Sequence, residues 1–166
     1  MGGVDFFVDD KGGMVPLLWR KSCSALIRRR LVSFKNHTGN ITNSDLEAAA
    51  YVAHNDVLAS AADVHEKIVN NFSDNIPTVY WITKGSTTTT GPAAYILRLA
   101  SLHQRIHRYV PKLDYIPGIL NVMADTASRA WHLTDSELLA HFNSTVSQMR
   151  PWHICLLKEE LNSSMI

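Results

Sequence analysis

Two hydrophobic periods alternate along this chain, and their order constrains the fold more than any single motif. Residues 2–8 (Gly-Gly-Val-Asp-Phe-Phe-Val) and 14–20 (Met-Val-Pro-Leu-Leu-Trp-Arg) read as strands joined by an Asp10-Lys11-Gly12-Gly13 turn. Pro16 fits best near a strand start or on an edge. Ser24 to Ser33 predicts a short basic helix, with Leu26, Ile27 and Leu31 opposite Arg28, Arg29 and Arg30. A long helical period starts at Ser44, where Leu46, Ala49, Ala50, Ala53, Val57 and Ala61 recur every three or four residues. Lys67 to Phe72 predicts a strand buried through Ile68, Val69 and Phe72, and Pro77 opens a short helix through Trp81.

Pro92 opens another long helix, whose apolar face reads Tyr95, Leu99, Leu102, Ile106 and Tyr109, opposite Arg98, Arg105 and Arg108. Asp114 to Ile116 is a short strand closed by Pro117-Gly118. Asn121 caps a helix through Trp131, and Thr134 with Glu137 makes the capping box of the next one. Strands, helix, strand, helices, strand, helix is the order of an α/β fold in which helices cover a mixed sheet.

At 166 residues the chain suffices for one domain with a short tail, expected after residue 147. No apolar run approaches the length of about 18 residues that a membrane span needs. The N-terminal residues have neither a basic leader nor a signal-like apolar core. Cys23 and Cys155 match no metal or redox spacing and read as incidental thiols, so an intracellular location is expected. Sixteen basic residues against fifteen acidic ones give no bulk attraction to nucleic acid or membrane. Locally the balance breaks. No acid lies between Asp10 and Asp45, while Lys11, Arg20, Lys21, Arg28, Arg29, Arg30 and Lys35 all do. That stretch is either a solvated face or a phosphate-facing surface.

Three acids stand where a sheet-plus-helix fold can gather them: Glu47 in the first turn of the alanine-rich helix, Asp74 at the carboxyl end of a strand, and Asp125 in the helix after Pro117-Gly118. Converging carboxylates repel one another and favour a divalent cation such as Mg²⁺. Each also has a plainer reading. Ser44 and Glu47 have capping-box spacing, Asp74 before Asn75 suits a turn, and Asp125 suits a helix N-terminus. His103 and His107 are four apart on a helix, but with no third ligand nearby they read as neutral surface histidines. Trp19, Trp81, Trp131 and Trp152 read as packing residues.

The words around the three acids are more specific than their spacing. Asn43-Ser44-Asp45-Leu46-Glu47-Ala48-Ala49, then Phe72-Ser73-Asp74-Asn75, then Tyr115-Ile116-Pro117-Gly118 with Asn121-Val122-Met123-Ala124-Asp125-Thr126-Ala127-Ser128-Arg129, occur in that order. The set resembles the ribonuclease H domain of retrotransposon reverse transcriptases. The resemblance spans roughly residues 2–147, leaving 148–166 as a C-terminal tail.

It implies a ribonuclease H-like mixed sheet flanked by helices, and Mg²⁺-dependent hydrolysis of RNA in an RNA–DNA hybrid. Glu47, Asp74 and Asp125 would be the catalytic metal ligands, and the parent a larger reverse transcriptase polyprotein. In that family two ions are held by four carboxylates. The strand bearing the first of them is expected upstream of Gly2-Gly3-Val4, so the pattern here is incomplete, with one ion or none held. Asp9, after Phe6-Phe7-Val8, is the remaining candidate for the first acid. The competing expectation is an inactive transposon remnant that at most binds nucleic acid or a partner.

Overall fold

The computed structural model describes residues 1–88 and 91–157. The two expected N-terminal strands form a hairpin, β1 (Gly2–Val8) and β2 (Met14–Arg20), paired antiparallel from Gly2 opposite Arg20 to Val8 opposite Met14. The turn is held by the Asp9 side chain, whose carboxylate accepts the Lys11 and Gly13 amides and pairs with Arg150. Ser24 caps the short α1 (Ala25–Arg30), which buries none of its residues.

Helix α2 (Asn43–Ala61) begins one register earlier than the sequence suggested. Its cap is Thr42, whose hydroxyl accepts the Asp45 amide while the Asp45 carboxylate accepts the Thr42 amide. Two overlapping capping boxes compete in Thr42-Asn43-Ser44-Asp45-Leu46-Glu47, and the first one closes. Glu47 therefore has no capping duty.

Strand β3 (Ile68–Ser73) leads into α3 (Ile76–Lys84), with the Asn75 side chain accepting the Thr78 amide. Its burial alternates in a way apolar content did not indicate: Val69 and Asn71 are buried, whereas Ile68 and Phe72 are exposed. Helix α4 (Pro92–His107) follows, then β4 (Val110–Tyr115), parallel to β3 from Ile68 opposite Val110 to Ser73 opposite Tyr115. A 3₁₀ turn at Gly118–Leu120 precedes α5 (Val122–Arg129), and α6 (Asp135–Thr145) starts at the expected Thr134–Glu137 capping box.

The molecule is thus mixed α/β, but its strands form two sheets rather than one. β2 is the best-buried strand. Leu17 and Trp19 pack on Ala53 and Val57 of α2, while Leu18 points the other way into Ala127, Leu138, Phe142 and Trp152. Helix α5 lies so close to β1 that a Cβ on Gly2 would stand 2.8 Å from the Ala127–Ser128 backbone, so only glycine fits. Arg20 is spent inside this half. Its guanidinium donates to the Ala130 and Leu133 carbonyls and to Asp135, so it is no part of a phosphate-facing surface.

Two further sequence expectations fail on packing. Helix α4 turns Ala93, Ile96, Leu97, Ala100 and His103 inward, leaving Tyr95, Leu102 and Ile106 about half exposed or more. Its small residues face the alanine-rich α2, where bulky side chains would hold the two axes apart. The segment after Pro151 is not an appended tail as far as Cys155. His153–Cys155 forms β5, parallel to β2, and Trp152 is buried with edge-to-face contacts to Phe6 and Phe142.

Trp152→Ala should therefore cost about 3–5 kcal/mol, the range for emptying a buried indole site. Leu156→Ala, at an exposed position, should be nearly silent. Equal midpoints for the two variants in urea unfolding would contradict the assignment of Trp152 to the core.

Candidate functional site

The facing edges of the two sheets, β1 and β3, enclose a groove of about 470 Å³. One wall is Gly2 to Phe6, the other Asn70 to Asp74, and the floor is Trp19, Glu47, Ala50, Tyr51 and His54. Phe7, late in β1, packs in the cluster of Val69, early in β3. Gly2, early in β1, lies against α5, the helix that follows the Gly118 turn beside Asp74. The two strands thus run antiparallel across the groove without pairing, and each presents an edge of backbone donors and acceptors to it.

Two of the three acids from the sequence, Glu47 and Asp74, line the groove. Glu47 reaches it from the first turns of α2, and Asp74 from the end of β3. Asp74 is backed by Gly118, where a Cβ would stand 3.2 Å from its Oδ2. Asp125 projects from α5 outside the groove lining, but its charge still reaches Glu47. Burial pushes the Glu47 carboxyl above its ordinary range, and the negative charges of Asp74 and, more weakly, Asp125 push it further; the Met1 ammonium and Arg129 oppose them. Arg129 Nε also lies 2.5 Å from Asp125 Oδ1 and takes up part of that carboxylate. Asn121, expected as a helix cap, makes no side-chain cap bond and lines the groove instead.

Asp9 is elsewhere, fixed in the β1–β2 turn and paired with Arg150, so it is no substitute first acid. The groove also contains groups that the sequence did not single out. Trp19 Nε1 donates to His54 Nδ1 at 3.1 Å, which leaves the His54 Nε2 proton facing Asp5 Oδ2 at 3.3 Å. Burial holds both toward their neutral forms, raising the Asp5 carboxyl and lowering the His54 imidazolium, each partly offset by the other. Nothing local in Gly3-Val4-Asp5-Phe6 signals this, because the partners come from α2 and β2.

A second cluster of ligand-bearing residues lies at Asp56, His103 and His107. His103 is buried rather than a surface residue, and its third neighbour is Asp56 on α2, far away in sequence. Comparison with family models, curated proteins and solved structures finds no match to this chain.

The strained Glu47 carboxyl has a consequence for stability. Between its ordinary value of 4.5 and its higher folded value, the folded chain holds a proton that the unfolded chain has lost, so stability falls as pH rises through that window. Glu47→Gln should remove this loss. The variant should melt above the parent at pH 7, with the gap closing below pH 4.5. A variant that melts lower at neutral pH would show that Glu47 is not under like-charge stress.

Proposed function

We propose that this chain is a retroelement-derived ribonuclease H-like domain whose intact form hydrolyses the RNA strand of RNA–DNA hybrids, and whose activity is impaired here. The observation that supports the reading is that Glu47 and Asp74 line one groove, with the Glu47 carboxyl raised by burial and by the charges of Asp74 and, more weakly, Asp125. Hard oxygen donors whose charges crowd one another suit Mg²⁺. In such a site the metal supplies activation of water and stabilisation of the leaving oxygen. The chain's own residues position it: α2 presents Glu47, the β3–α3 junction presents Asp74 against the Gly118 turn, and α5 presents Asp125.

Impairment follows from the groove. In the fold the sequence resembles, a central strand bearing the first acid would run between β1 and β3. Asp5, the other acid in the lining, faces His54 instead. The second reading, an inactive remnant that binds nucleic acid, is favoured by the Arg129–Asp125 contact, which competes with any ion at that carboxylate. Phosphate contacts would come from exposed Arg28, Arg29 and Arg105, not from Arg20, nor from Arg108, whose guanidinium is engaged with Glu66.

The test is hydrolysis of a labelled RNA–DNA hybrid with Mg²⁺. The 166-residue chain should cleave little or not at all. A version extended at its N-terminus by an apolar strand ending in Asp should cleave, and Asp74→Asn or Asp125→Asn should abolish that activity. Strong cleavage indifferent to both substitutions would sink the site. No cleavage by either form, with hybrid affinity falling steeply as salt rises, would select the remnant; Arg29→Ala should then flatten the log–log salt slope by about 1.

A further inference from the structure

We propose that Asp56, His103 and His107 form a Zn²⁺ site that clamps α2 to α4, independent of the carboxylate groove. The three residues offer ligand atoms that all lie within 4.8 Å of one another. His103 Nε2 stands 3.5 Å from Asp56 Oδ1, and the two imidazole rings, one helical turn apart on α4, have centroids 4.3 Å apart.

A tetrahedral Zn²⁺ with ligands at about 2.0–2.2 Å requires them roughly 3.3 Å apart. The Asp56–His103 pair is already near that spacing, so closing on an ion takes side-chain rotation, not backbone movement.

The second observation is chemical. Asp56 and His103 are only 5% and 9% exposed, yet Asp56 Oδ2 and His103 Nε2 have no hydrogen-bond partner. An unsatisfied buried carboxylate oxygen and an unsatisfied buried ring nitrogen on two neighbouring residues are costly in a helix interface. One divalent cation between them satisfies both.

The outer shell is also in place. His103 Nδ1 lies 3.0 Å from the Tyr109 hydroxyl. With Nε2 on the metal, Nδ1 carries the proton and donates it to the Tyr109 oxygen, which fixes the ring as metal-bound histidines generally require. Two imidazoles and one carboxylate select Zn²⁺ over Mg²⁺, which prefers oxygen donors throughout. His107 is only half-buried, so the fourth position opens toward solvent and suits a water.

The experiment uses the full chain, stripped with a chelator and then titrated with Zn²⁺, Mg²⁺ or Co²⁺. One Zn²⁺ per chain should bind at micromolar affinity or tighter and raise Tm by several degrees, while Mg²⁺ at the same concentration leaves Tm unchanged. Co²⁺ should give a visible ligand-field band displaced by Zn²⁺. His107→Ala and the isosteric Asp56→Asn should each abolish the Tm shift and the band, and Tyr109→Phe should weaken binding roughly tenfold. Because His107 is half-buried and Asp56→Asn keeps its shape, at least one variant should fold. Sub-stoichiometric binding, or a Zn²⁺ shift that survives in both variants, would overturn the site and assign any uptake to exposed histidines. None of these readouts depends on hybrid cleavage.

Discussion

Much of this molecule hangs on α2, because it packs against both sheets. Ala53 and Val57 meet Leu17 and Trp19 of β2, while Ala48, Ala49, Tyr51 and Val52 meet Ile96 and Ala100 of α4 and Leu113 of β4. Alanine at these positions brings backbones close on both sides, which buries the helix nearly all round. The two sheets make no strand pair with each other. Their relative placement is therefore set by side-chain packing on one helix, not by a hydrogen-bonded ladder.

Such burial leaves the polar residues of α2 few options. Asp45 closes the cap, Asn55 donates to the Tyr51 carbonyl, His54 accepts from Trp19, and Asp56 faces His103. Glu47, half-buried, alone is pointed at like charges, which is a poor arrangement for stability and a good one for holding a cation. A capping role would account for Glu47 without any ligand, and the closure of the cap by Thr42 and Asp45 removes that account.

What the sequence shows and hides follows from the range of the interactions. The strand and helix order was legible, since periodicity and caps are local: the β1–β2 hairpin, α3 after Pro77 and the Thr134–Glu137 box all stand where expected. That Glu47 and Asp74 belong to one groove was suggested only by the ordered words around them. The inward face of α4 was not, because two apolar stripes compete on that helix. The stripe rich in Leu and Tyr lost to the one small enough to meet alanine. Burial of His103 and its pairing with Asp56 were equally hidden, since the spacing of two histidines says nothing about a carboxylate on a different helix.

Glu47 and Asp56 are nine residues apart on α2, about 13 Å along its axis and two and a half turns around it, so they leave the helix on opposite sides. One faces the open groove between the sheets and the other the closed seam with α4. The groove end holds the carboxylates of Glu47 on α2 and Asp74 at the β3–α3 junction. The seam end brings nitrogen and oxygen donors together from two helices. A hard ion that exchanges ligands and waters suits the first setting, and an ion held in fixed geometry suits the second. Both settings share α2 without sharing a ligand.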